Sequence, residues 1–200
     1  MKKILSVLLS ITLILIAAVA IGRASLDEEM EIYEKTLRLH IPANSDSKED
    51  QEVKLKVRDA VLKLLKEPLS KCSTRDEAIT VVQNMTNAIS EEANKTLDEY
   101  GYDYLASVFV VREHYPEKTY GDITLPAGNY ASLKIELGKA DGQNWWCVLF
   151  PQVCVGSAKP SETLADVGFT ANQIRILTEQ EDYEYVVKFK LIEVISSLLP

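Results

Sequence analysis

The strongest constraint on this chain is a change of hydrophobic period at Gly101. From Val53 to Tyr100 apolar residues recur every three or four positions; from Leu105 to Leu137 they alternate. Val53, Val57, Ala60, Val61 and Leu64 follow the cap-rich run Asn44-Ser45-Asp46-Ser47. The spacing predicts a helix from an N-cap at Ser47 to about Leu65, stopped by Lys66-Glu67-Pro68. Thr74 and Glu77 fit a capping box. Behind them Ala78, Val81, Val82, Met85, Ile89, Ala93, Leu97 and Tyr100 form one stripe, read as a single helix or as two with a bend near Asn87. Gly101 is its natural stop.

Strands are expected at Thr36–Ile41, Leu105–Glu113, Tyr130–Leu137 and Trp145–Phe150. In the first, Leu37, Leu39 and Ile41 share the buried side, with Arg38 and His40 opposite. The last is apolar on both sides and is expected to be central. Pro116–Gly128 reads as an irregular connection, Asp141-Gly142 as a hairpin turn and Gly156–Thr170 as a loop. Ala171–Glu179 reads as a short helix. A terminal helix is favoured through Val187, Leu191, Val194, Ile195 and Leu198, with a strand over Tyr183–Phe189 as the alternative. Helices first and strands later give an α+β class. The expected architecture is an antiparallel sheet of about four strands packed against two or three helices, preceded by an N-terminal signal or anchor helix.

That N-terminal segment fixes the expected compartment. Lys2 and Lys3 precede an unbroken apolar and small-residue run from Ile4 to Ile21, then Gly22, Arg23 and Ala24. A charged start, a hydrophobic segment and small residues at the exit are the layout of a secretory signal. The run also matches the roughly 17–25 residues of a membrane helix. Residues 1–24 are therefore read as a cleaved signal or a retained anchor, and 25–200 as one extracytoplasmic domain. If the anchor is kept, it is the chain's membrane contact.

The formal charge is −8 for the whole chain, and −11 once Lys2, Lys3 and Arg23 are removed. A balance that acidic disfavours nucleic acid and anionic lipid headgroups. Three cysteines would meet an oxidising compartment. Cys147 and Cys154 are close enough in sequence for a bridge. Cys72 is then left over, free or paired between chains; the alternative is three reduced thiols.

The chain contains two histidines, His40 and His114. It has no nucleophile elbow, zincin helix, phosphate loop or dinucleotide fingerprint, and no zinc spacing. No catalytic, cofactor or metal residues are assigned. Two constellations stand out. His40, Asn44, Ser45 and Asp46 leave the first strand, followed by Gln51, Arg58 and Asp59 on the helix. They read as a capped junction or as a partner-contact turn made by His40, Asn44 and Asp46, with Arg58 structural. Trp145 and Trp146 are adjacent in a strand and so face opposite sides. One should enter the core, and the other is a candidate interface anchor.

Longer motifs now carry a resemblance. Leu37-Arg38-Leu39-His40-Ile41-Pro42-Ala43-Asn44-Ser45-Asp46-Ser47, Asp50-Gln51 and Lys56-Val57-Arg58-Asp59 resemble the stage II sporulation protein R family of endospore-forming bacteria. So do Tyr120-Gly121-Asp122, Leu125-Pro126-Ala127-Gly128-x-Tyr130, and Asn144-Trp145-Trp146-Cys147-Val148-Leu149-Phe150-Pro151 with Cys154. The resemblance implies a secreted signalling protein rather than an enzyme. It implies a location in the space between forespore and mother cell. Its implied partner is a membrane-embedded aspartic protease, whose activation leads to processing of the mother-cell sigma-factor precursor. The competing expectation is an exported cell-wall hydrolase or wall-binding protein, for which Asp46 with Asp59, or Glu113 with Asp122, are nominal acid pairs.

Overall fold

A computed structural model of the chain describes residues 6, 9–16, 30–153 and 160–178. Of the N-terminal segment it describes residue 6 and a helical stretch over 9–16 whose apolar side chains are exposed. Among the described residues no helix is long and apolar enough to cross a membrane. The expected strand or helix beyond residue 182 lies outside the described residues.

The fold is α+β. Strand β1 (Leu37–Pro42) leads into helix α1 (Lys48–Ser70), then α2 (Arg75–Asn84), α3 (Thr86–Glu99) and strand β2 (Ala106–Tyr115). A small ribbon, β3 (Lys118–Tyr120) and β4 (Ile123–Leu125), precedes β5 (Gly128–Leu137) and β6 (Asn144–Phe150). Two short helices follow, α4 (Pro160–Asp166) and α5 (Ala171–Thr178). The main sheet has the order β2-β5-β1-β6.

This sheet is mixed, not antiparallel as expected. β1 runs parallel to β5 and antiparallel to β6, and β2 is antiparallel to β5. Parallel neighbours require a long crossover. Here the three helices, β2 and the β3–β4 ribbon all lie between β1 and β5 in the chain. β1 sits between β5 and β6, so the Asp141-Gly142 loop joins strands that are not neighbours. The expected hairpin is absent.

β6 is correspondingly not central: among the described residues it pairs only with β1. It is apolar on both sides because both sides are covered. Cys147 and Leu149 join the helix-side core, while Val148 joins a second cluster with Ile32, Ile123, Leu125, Val153, Leu164, Phe169 and Leu177. That cluster comes largely from segments read as loops. The 116–128 connection forms β3–β4, and the 156–170 stretch contains α4. Tyr120 of the first of these reaches Arg38, and β1's second face is buried like its first: Arg38 is fully buried and His40 nearly so.

The helices follow the expected stripes. Val53, Val57, Val61, Leu65 and Leu69 are buried along α1, and the Ser47 side chain accepts from the Asp50 N–H. Pro68 does not stop α1, which continues to Ser70. Leu69 extends the buried stripe, and a proline in the final turn disrupts few helical bonds. The second stripe breaks at Met85 into α2 and α3. Thr74 accepts from Glu77 N–H at 3.3 Å, while the Glu77 carboxylate accepts from Ser73 N–H at 2.7 Å. The stop at Gly101 has φ +79°.

Candidate functional site: an aromatic-walled polar face of the sheet

Alternation along β1 sends Leu37, Leu39 and Ile41 to the helices and Arg38 and His40 to the far face. His40 is held on three sides. Its Nδ1 lies 3.0 Å from Glu113 Oε2 on β2, and its Nε2 lies 2.7 Å from Asn144 Oδ1 on β6. The Trp146 ring stacks on it, with centroids 3.8 Å apart and planes at 19°. Both ring nitrogens lie within hydrogen-bonding distance of a side-chain oxygen, one from each neighbouring edge of the site. Burial pushes the Glu113 carboxyl up, but hydrogen bonds from His40 and Ser132 outweigh this and hold it below its ordinary value.

Arg38 lies deeper and has no exposed surface. Its Nε donates to Cys147 O at 3.1 Å and its Nη2 to the Tyr120 hydroxyl at 2.7 Å. The guanidinium lies over the rings of Tyr115, Tyr130 and Tyr120, at 4.3, 4.8 and 5.4 Å. Aromatic faces replace part of the lost hydration of a buried cation. Nη1 is buried without a hydrogen-bond partner. Burial raises the Tyr115 and Tyr120 hydroxyl pKa values, against the pull of Arg38. Tyr115 also shares a 2.7 Å hydrogen bond with Ser132.

The ribbon motifs build this wall. Gly121, at φ +62°, turns β3 into β4 and so places Tyr120 over Arg38. Gly128 leaves room for Tyr33, since a Cβ there would lie 2.6 Å from the Tyr33 ring. Tyr33 in turn packs edge-on against Tyr130 at 4.9 Å.

The expected contact residues fall in three places. His40 and Trp146 share the far face. Trp145 points the other way, beneath the Arg58 guanidinium at 4.3 Å, and packs on the helix-side core. Asn44 and Asp46 grip the 138–143 loop. Asn44 Oδ1 accepts from Lys139 N–H at 3.0 Å, and Asp46 Oδ1 accepts from Gln143 N–H at 2.7 Å. Asn44 Nδ2 and Ser45 Oγ donate to Asp50 Oδ2, and the Tyr104 hydroxyl donates to Oδ1 at 2.6 Å. Gly142 sits against this turn, where a Cβ would meet Ser45 O at 2.2 Å. Asp46 is exposed, Asn44 half-buried and His40 buried. Cys147 is disulfide-bonded and Cys72 is free; the expected partner, Cys154, lies outside the described residues.

Sequence reasoning missed Arg38, Tyr115, Tyr120 and Tyr130 as a unit, and the bond from Glu113 to His40. The available signal was that Arg38 and His40 alternate with a fully apolar row on a strand. Among the described residues, no group of three His, Cys, Asp or Glu side chains is placed to hold a metal ion. With both His40 nitrogens engaged, the arrangement is a rigid, aromatic-walled platform whose outer residues are Asn144, exposed, and Trp146, half-buried.

These features define a class: a small α+β domain whose sequence motifs converge on one face of a mixed sheet. The chain belongs to the stage II sporulation protein R family, whose model matches residues 33–159. It is 34% identical over 209 residues to Stage II sporulation protein R of Bacillus subtilis (strain 168), covering 96% of this chain and 93% of that protein. No solved structure gives a significant match.

Proposed function

We propose that this sporulation protein is an exported signal that activates a membrane-embedded aspartic protease, so that the mother-cell sigma-factor precursor is processed. The Lys2-to-Ala24 segment supplies export, as a cleaved signal or as an anchor, and the 25–200 domain is the active part. The action is binding, not chemistry.

The observation that carries this reading is the platform on the far face. Motifs far apart in sequence meet there, and it ends at the surface in Asn144 and Trp146 above a locked His40. An activator that turns a protease from mostly off to mostly on must favour the active state by about 10⁴-fold, roughly 5.5 kcal/mol. A half-exposed tryptophan held by stacking is the kind of anchor that supplies such energy. The acids of the hydrolase alternative are engaged in structural contacts. Glu113 binds His40, Asp122 binds Ser161, Asp46 binds the 143 amide and Asp59 pairs with Arg58.

The test is co-production of precursor, protease and this chain, scoring precursor cleavage. Cleavage should require the chain and the protease's active aspartate. Asn144→Ala and Trp146→Ala should lower cleavage while circular dichroism shows retained fold. Cleavage independent of the chain would overturn the activator reading; full cleavage with both folded variants would move the contact off this face.

A further inference from the structure

The polar face reaches the surface at Asn144 and Trp146, and the chain enters β6 there through two successive peptide planes. The first carries the Gln143 N–H, which donates to Asp46 Oδ1 at 2.7 Å. The second carries the Gln143 carbonyl and the Asn144 N–H. That carbonyl accepts from Lys54 Nζ at 2.7 Å and from Ala43 N–H at 3.3 Å, so both its lone pairs are used. A peptide unit is planar, so fixing the carbonyl fixes the direction in which the chain arrives at the Asn144 Cα.

Lys54 comes from α1, on the opposite side of the sheet from His40 and Trp146, and is only 4% exposed. Its ammonium donates to two neutral oxygens, Gln143 O and Gln51 Oε1, the latter at 2.6 Å. Gln51 is held in turn, its Nε2 donating to Ser45 O at 2.8 Å. Burial pushes the Lys54 pKa down; Asp46 pulls it back and Arg58 pushes it down further. Burying a charge against neutral partners costs stability. An apolar side chain of similar length would fill the position, and Ala43 would still serve the Gln143 carbonyl. Neither packing nor the carbonyl's own needs therefore account for an ammonium here. What it adds is a short, charge-assisted bond that selects one orientation of the 143–144 plane.

We infer that Lys54 is a positioning residue for the contact face: from the helix side of the sheet it aims Asn144 at His40, and so sets the surface on which Trp146 stacks. With the 143–144 plane fixed, Asn144 Oδ1 meets His40 Nε2 at 2.7 Å, and the Trp146 ring lies on the imidazole it steadies. The placement stands on this geometry alone; its consequence for precursor cleavage rests on the activator reading.

The test compares the full-length chain with Lys54→Met in detergent micelles. Methionine keeps the length and removes the charge and its donors. The thermal midpoint of Lys54→Met should equal or exceed that of the wild type, because replacing a buried charged group by an apolar one of similar volume is often neutral or stabilising. The His40 ring signals in NMR spectra, assigned with His114→Gln, should nevertheless shift, since the indole stacked on them moves. In the co-production assay, cleavage with Lys54→Met should fall as far as with Asn144→Ala. A lowered midpoint would make Lys54 a support of the fold and overturn the inference, as would unmoved His40 signals. Shifted signals with full cleavage would overturn the link from Lys54 to the contact. Cleavage that proceeds without the chain would remove the activator reading, and the midpoint and His40 signals would still decide the placement.

Discussion

Trp146 lies flat on His40, with ring centroids 3.8 Å apart and planes at 19°, and this stack is the outer surface of the polar face. His40 therefore acts from beneath the surface. Its two nitrogens lock Glu113 and Asn144, and its ring supports the tryptophan. His40→Ala leaves the half-buried Glu113 carboxylate without its His40 partner, a loss that typically costs about 1–3 kcal/mol. That exceeds the ~0.5 kcal/mol of an exposed substitution. Urea denaturation should show the loss, and a double-mutant cycle with Glu113→Gln should show the two positions coupled. Additive effects would separate them.

Acid should weaken the fold through two carboxyls. Burial raises both Glu113 and Asp50, but hydrogen bonds more than compensate. His40 and Ser132 do so at Glu113; Ser45, Tyr104, Asn44 and Ser47 do so at Asp50. A carboxyl held low in the native state stabilises it at pH above the unfolded values, about 4.3 for Glu and 3.9 for Asp. That contribution disappears as pH falls through the lower native values. The urea midpoint should hold from neutral to about pH 5 and drop below about pH 4, and Glu113→Gln should shallow the drop. An unchanged wild-type midpoint at low pH would contradict this.

The Asn44–Asp46 turn should prove structural in proportion to its bonds. Asp46→Ala removes one hydrogen bond at an exposed site, worth about 1 kcal/mol. Asn44→Ala strips both the Lys139 amide and Asp50 of a partner and should cost more, about 2 kcal/mol. Gly142→Ala should be the most damaging of the three, because its Cβ would lie 2.2 Å from the Ser45 carbonyl and only backbone movement relieves that. Denaturation midpoints in that order would bear this out, and a neutral Gly142→Ala would refute it.

Thiol chemistry should separate the cysteines. Cys72 is free, half-buried and has its pKa raised by burial and then by Glu77. It should alkylate slowly in native protein at neutral pH and quickly in urea. Cys147 should label only after reduction. Peptide mapping without reduction is expected to link it to Cys154.

Periodicity alone located the long helices that pack on the sheet, α1, α2 and α3. Val53 through Leu65 and Ala78 through Leu97 bury one face because a helix repeats every 3.6 residues whatever it packs against. The capping signals at Ser47 and Thr74 are equally local and equally readable. The same alternation put Trp145 and Trp146 on opposite faces. What lay across from each face was not readable. His40 and Arg38 looked like the polar side of a half-buried strand. They are buried because Tyr120, from a connection with no strong period, closes with Tyr115 and Tyr130 over Arg38, while Trp146, Glu113 and Asn144 close around His40. Strand order was likewise hidden. Alternation records which side of a strand is buried but not which strand is its neighbour. Only the tertiary crossover placed β1 between β5 and β6, and so brought His40 to Trp146 and Glu113.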